Sequence, residues 1–432
     1  MAGSYQSPWR KAKQFVALTL VLALVLPGCA SRNVPPMGFA GKPFKPESDE
    51  RKLWSQADKE EEKIAKQSRV WDDPLMEEYL ARIGDRLMPA EVKAAGGPGL
   101  RVRVIRDPTL NAFAMPNGAV YIHTGLLARL DNEAQLATIL GHEMTHMDHR
   151  HALKFSRDAQ NKTILFDVTA IAASIGVAVA LGSRAQAKDP VGAAVLGQTA
   201  SVILGLGLPL AALASINGYG RDLEREADAG GMDKLVKAGY DPREAPKVFE
   251  LLKEASGDRG SLETFFFGSH PRLEERITST RELVQARYAG VGGEKSSDDF
   301  AIRMRPIVRE NAALDIRAGR FTLAQSQLDR VLALTPGDPV AHLYYGDLHR
   351  LQAQRTRTVA DKDAQTRLAL TRYERAAELD PKYPDPFRQL GLLYHQHKDA
   401  ARAKAAFEQY LALRPDAPDA RQIKGYLVEL DR

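Results

Sequence analysis

One cysteine, Cys29, stands in 432 residues. That count excludes an internal disulfide and a thiolate metal cluster. A strong charge of one sign is also missing. The formal net charge is +5, with lysine and arginine spread along the chain. No RNA- or DNA-binding motif accompanies it, so nucleic acid is not an expected partner. Hydrophobic residues make up 44% and charged residues 27%. This balance is that of an ordinary folded protein and suggests neither disorder nor a polytopic membrane protein. The length leaves room for two or three domains.

The lone cysteine is informative by position. Arg10, Lys11 and Lys13 form a basic start, and Phe15 to Leu26 is an apolar run too short to span a bilayer comfortably. Leu26-Pro27-Gly28-Cys29 follows. This pattern reads as a secretory signal and resembles a bacterial lipobox, although Pro27 departs from the usual small or β-branched residue there. The expectation is that residues 1–28 are a lipoprotein-type signal and that Cys29 carries lipid. A plain signal peptide with an incidental cysteine is the alternative. Ala30, rather than aspartate, after the cysteine favours the outer membrane by lipoprotein sorting rules. Residues 29–50 contain proline, glycine and lysine without periodicity and read as a tether.

A folded domain is expected over residues 51–289. Asp72-Asp73-Pro74 marks a helix start, and Leu75, Tyr79, Leu80, Ile83 and Leu87 recur at helical spacing. Leu100 to Ile105 alternates as a strand does. Asn111 to Leu127 reads as strand, Pro116-Asn117-Gly118 turn, then strand. Such a pair can present an edge to an extended peptide, or be an ordinary hairpin.

The helical run from Asn132 holds His142-Glu143-Met144-Thr145-His146. Residues four apart share one helix face, so His142 and His146 can offer imidazole nitrogens to one tetrahedral metal ion. Glu143 beside them can take a proton from water. His149 and His151 fall off that face and read as surface or supporting residues, and Arg150 as an anchor for a nearby carboxylate. Thr163 to Gly182 and Pro190 to Ile216 are both apolar. They predict an inserted helical hairpin over 163–216 that covers the domain, lies on a membrane or spans it; length and charge favour the first two. Two histidines need a third protein ligand. Glu224 and Asp228 lie four apart in Arg221-Asp-Leu-Glu-Arg-Glu-Ala-Asp. In the peptidases that carry this arrangement a helical glutamate supplies the ligand; Glu224 would then bind the metal, and Asp228 could hydrogen-bond the free nitrogen of a ligand histidine.

Taken together, the His142–His146 motif, Arg150-His151 and the Arg221–Asp228 motif resemble the HtpX/CAAX-prenyl-protease family of zinc metallopeptidases. Asn111-Ala-Phe and Gly125-Leu-Leu fit the same pattern, and the likeness covers about residues 60–285. It implies an α+β, mostly helical gluzincin-type domain with one Zn²⁺ per chain. His142, His146 and Glu224 would be its ligands and Glu143 the catalytic base. Ser269-His270-Pro271 also recurs in the family. In periplasmic relatives of BepA type such a histidine can occupy the open metal position. His270 is therefore expected to latch the site or to stabilise an oxyanion.

After a break near 290–299 the chain turns helical and repetitive. Pro381 and Pro415 lie 34 residues apart, and Pro336 and Pro381 lie 45 apart. The first spacing is the tetratricopeptide period, and the second adds an insertion between Arg350 and Arg372. Gly346 and Gly391 keep the same offset. Residues 300–432 should form an α-helical repeat solenoid that binds peptides or proteins. The resemblance implies an endopeptidase of the periplasm acting on misassembled outer-membrane proteins, anchored through Cys29, its repeats recruiting substrate or the outer-membrane assembly machinery. A chaperone or scaffold with low, latched proteolysis is the second reading.

Overall fold

The computed structural model describes residues 34–66, 69–161, 219–257, 273–297 and 299–431. Cys29, the 163–216 hairpin and His270 lie outside the described residues. Among those described, no helix is long and apolar enough to cross a membrane.

Helices α1 (Ser48–Lys66) and α2 (Pro74–Leu87) come first. The Asp73 carboxylate caps α2 by accepting from the Leu75 and Met76 amides, and Pro74 occupies the first turn. A short helix (Ala90–Ala95) leads to the sheet: β1 (Arg101–Ile105), β2 (Ala112–Ala114) and β3 (Ala119–His123). The strand order is β1-β3-β2. β1 runs parallel to β3 with Arg101 opposite Ala119, and β2 runs antiparallel with Phe113 opposite Tyr121. The Pro116-Asn117-Gly118 turn is thus a true β2–β3 connection, and β2 is the strand that faces the next helix.

A helical turn (Thr124–Leu127) precedes α3 (Glu133–Asp148), which carries the two histidines, and α4 (His151–Asn161). Then come α5 (Arg221–Lys237), α6 (Ala245–Gly257) and α7 (Leu273–Arg287). The remainder is helical: α8 (Phe300–Arg317), α9 (Phe321–Leu334), α10 (Pro339–Arg355), α11 (Val359–Leu379), α12 (Pro384–Gln396), α13 (Ala400–Leu413) and α14 (Ala420–Leu430). The insertion between Arg350 and Arg372 extends α10 and opens α11, so the pair stays a helical hairpin with long arms.

Two expectations are corrected. Residues 34–50 do not behave as a tether. Val34 and Met37 are buried. The Met37 amide donates to the Asp148 carbonyl at 2.8 Å, at the end of α3. Arg150 binds Glu47 and Glu50, and Arg157 binds Glu47 and Asp49. Charge pairing with distant arginines overrides the loop-like composition. The boundary near 300 is also not a break in packing. One apolar core runs from Trp71 through Leu136, Leu140 and Leu252 to Phe300, Ile307, Leu328 and Tyr345. Each such buried side chain contributes roughly 1.5–3 kcal/mol. Arg330 donates to the carbonyls of Ala128 and Leu130 at 2.8 and 2.9 Å, just ahead of α3.

A separate core unites the later repeats around Tyr373, Phe407, Tyr410 and Ile423. The matching glycines have a packing reason. A Cβ on Gly346 would lie 2.3 Å from the Tyr373 ring, and one on Gly391 would lie 2.4 Å from the Phe407 ring. Each repeat thus seats an aromatic flush against the facing helix backbone.

Candidate metal centre

All sixteen residues of α3 are buried, and half are polar. Buried polar groups need partners, and these partners fix the helix. The Asn132 side chain caps it by accepting from the Gln135 amide at 3.0 Å. The Glu133 carboxylate accepts from Tyr79 and Tyr240, each at 2.6 Å, and from Ser297. Gln135 donates to Glu244 at 3.2 Å. Thr138 and Thr145 donate to the carbonyls four residues back. Lys234 of α5 reaches Thr145 at 2.9 Å and Asp148 at 3.0 Å.

Helix α5 crosses α3 at glycine. A Cβ on Gly230 would lie 2.6 Å from Thr145 Cγ2, and one on Gly231 would lie 2.8 Å from the His142 nitrogen. Only bare backbone permits this approach, and the approach brings Glu224 to the histidines.

Three ligand atoms converge there. His142 Nε2 lies 3.0 Å from His146 Nε2. The Glu224 oxygens lie 3.5 Å from each of those nitrogens. All three side chains are buried. In a tetrahedral site with bonds of 2.0–2.2 Å, ligand atoms sit about 3.3–3.6 Å apart. The donor set and its spacing therefore fit a tetrahedral divalent ion with one position left open. Glu143 is buried beside them.

Asp228 sits one turn beyond Glu224, its Oδ1 2.9 Å from His142 Nδ1. The histidine nitrogen turned away from the ligand cluster thus has a carboxylate partner. Arg276 of α7 completes the group: it binds both Asp228 oxygens, at 2.5 and 2.9 Å, and lies 3.8 Å from Glu224. Burial pushes the Asp228 carboxyl up, but Arg276 and His142 outweigh it and hold the group below its ordinary value. Burial pushes Arg276 down, and the carboxylates of Asp228, Glu224 and Glu143 more than restore it. Burial and Arg276 press His142 down, while Asp228 and Glu224 carry it to about 9.

On the other side, His146 stacks on Tyr219 with ring centroids 4.6 Å apart. Its Nδ1 lies 2.8 Å from His151 Nδ1. Burial lowers His151 to about 4. Arg150, in the left-handed region at φ 59°, turns the chain between α3 and α4 and buries its guanidinium against Glu50 at 2.7 Å.

Sequence reasoning gave Arg276 no role, although it stands on the helix that opens just after Ser269-His270-Pro271. It also missed the close approach of Gly141 to Gly231, because only the crossing of two distant helices creates it.

Residues 74–284 match the model of peptidase family M48, and residues 359–427 match a tetratricopeptide repeat model. The putative beta-barrel assembly-enhancing protease of Vibrio cholerae is 31% identical over 259 residues, covering 54% of this chain and 48% of the relative. The beta-barrel assembly-enhancing protease of Escherichia coli is 27% identical over 241 residues, covering 53% and 42%. The mitochondrial metalloendopeptidase OMA1 of Arabidopsis thaliana is 29% identical over 241 residues, covering 54% and 43%. The chain thus spans about half the length of the curated relatives it matches. Residues 74–284 thus form a peptidase M48 domain, a metallopeptidase domain that is followed by tetratricopeptide repeats.

Proposed function

We propose that this protein is a zinc-dependent endopeptidase of the bacterial cell envelope that degrades misfolded or misassembled outer-membrane proteins. The observation that carries the reading is the convergence of His142, His146 and Glu224, with Glu143 on the same buried helix. His142, His146 and Glu224 would hold the ion. When bound, zinc supplies Lewis acidity toward a peptide carbonyl and makes nearby water a stronger acid. Glu143 takes the proton of the attacking water and returns it to the leaving amine. Asp228 holds His142 in one tautomer, and Arg276 fixes Asp228. Strand β2 forms the sheet edge beside α3 among the described residues and would align an extended substrate by strand addition.

The substrate class is supported by the printed names of the bacterial relatives, which are beta-barrel assembly-enhancing proteases. The repeats would recruit substrate or the outer-membrane assembly machinery. A lipidated Cys29 would place the protein on the periplasmic face of the outer membrane, and His270 would occupy the open position until substrate arrives. A Glu143→Gln variant tests the reading by capture in cells. Crosslinking should recover outer-membrane β-barrel proteins in excess of wild type. Recovery of soluble periplasmic proteins alone would refute that substrate class. His270→Ala should raise basal cleavage, and Cys29→Ala should release the protein from membranes.

A further inference from the structure

His142 has its carboxylate partner directly in Asp228. Among the described residues, the Nδ1 side of His146 is linked to a carboxylate through a second imidazole. His146 Nε2 faces His142 and Glu224, and its Nδ1 lies 2.8 Å from His151 Nδ1. Two ring nitrogens at hydrogen-bond distance share one proton. With Nε2 committed to the ligand cluster, that proton sits on His146 Nδ1, and His151 Nδ1 accepts. His151 then carries its own proton on Nε2, which is buried 3.4 Å from Glu226 Oε2, a charge contact rather than a formed hydrogen bond. The His151 side chain is fully buried, so no bulk water can substitute for either contact. Glu226 is held from its solvent side: His149 Nδ1 lies 2.5 Å from Oε1, and Lys154 Nζ lies 3.1 and 3.3 Å from the two oxygens.

We propose that Glu226 and His151 form a carboxylate–imidazole relay that sets the tautomer and ring plane of His146 and so tightens its grip on the metal ion. This rests on the metal-binding reading of the site. Both are positioning residues, since neither reaches the ligand cluster. The relay gives the two ligand histidines equivalent supports from one helix: α5 carries Glu224 into the cluster, Asp228 to His142, and Glu226 to His146 through His151. It also gives the Arg150-His151 pair a purpose. The left-handed turn at Arg150 ends α3 and lets His151 fold back beneath His146.

The competing assignment for the same side chains is a second metal site, because His149, His151 and Glu226 offer ligand atoms within 4.8 Å of one another. The Lys154 ammonium on the Glu226 carboxylate argues against it, as a divalent ion there would meet a fixed positive charge. His151 Nδ1 is also already engaged.

The test compares wild type, His151→Leu, His151→Asn and Glu226→Gln as purified full chains. Zinc affinity is read by competition with a chelating dye. The Co²⁺-substituted proteins supply a ligand-field spectrum. Partners behind a metal-bound histidine typically contribute 10–100-fold in metal affinity, so His151→Leu should weaken zinc by about that factor and shift the Co²⁺ bands. His151→Asn places an amide oxygen where Nδ1 was, so it should recover most of the affinity and the wild-type bands. Glu226→Gln should fall between. Equal zinc affinity in wild type and His151→Leu would overturn the relay, even if the apo protein melted lower. So would His151→Asn behaving like His151→Leu. A second equivalent of zinc, lost on Glu226→Gln, would assign these side chains as ligands instead. If wild type bound no zinc, the reading of the main site would fail first and the relay with it.

Discussion

Gly141 and Gly231 meet where α3 and α5 cross. A Cβ on Gly141 would lie 3.0 Å from the Gly231 carbonyl oxygen. This contact sets the distance between the histidine helix and the helix that carries Glu224. Gly231→Ala should force the helices apart and weaken metal binding. Overpacking of this kind costs about 1–3 kcal/mol. Thermal melting should report that loss, and chelator competition should report the weaker metal. Retained affinity would show that Glu224 is placed by something other than this crossing.

Arg276 neutralises a buried aspartate. Removing one partner of a buried ion pair typically costs about 3–5 kcal/mol, so Arg276→Met should be strongly destabilised in denaturant unfolding. Adding Asp228→Asn should recover part of the loss, because no buried charge is then left alone. A double variant as unstable as the sum of the singles would remove the coupling.

The anchor of α3 predicts a pH dependence. Burial pushes the Glu133 carboxyl up, but hydrogen bonds from Ser297, Tyr240 and Tyr79 outweigh it and hold the group below its ordinary value. A folded-state pKa below the unfolded one stabilises the fold above the unfolded value of about 4.3 and loses that gain as pH falls through the folded value. Glu133→Gln should therefore be less stable than wild type at pH 7, by about 2 kcal/mol. The gap should narrow below about pH 4. A constant gap across pH would show that shape, not charge, secures the helix.

Much of the centre is legible in the chain because helical geometry is local. The spacing of His142 and His146 places both on one face, and the four-residue step from Glu224 to Asp228 does the same. The repeat period survives in Gly346, Gly391 and the prolines, since each aromatic needs the same bare backbone opposite it. What depends on distant segments is not legible. Glu47, Asp49 and Glu50 stand in a stretch that composition alone assigns to a tether, and only Arg150 and Arg157 show that it docks. The sharing of one core between α8, α9 and the metallopeptidase domain likewise depends on contacts that a break near 290–299 conceals.

The repeat core is separate enough to be perturbed by itself. Gly391→Ala would drive a methyl into the Phe407 ring, at about 1–3 kcal/mol. Differential scanning calorimetry should show an early transition from the C-terminal helices, with zinc affinity unchanged. Loss of zinc binding in parallel would mean that the two cores unfold as one.

The central claim is that Glu143 is the general base of a zinc peptidase. The direct measurement is cleavage of an unfolded protein substrate by wild type and Glu143→Gln, each with zinc content determined. The account predicts one zinc per chain and the same fold in both, with cleavage in wild type abolished by a chelator and absent from the variant. Cleavage by zinc-loaded Glu143→Gln at the wild-type rate would contradict it.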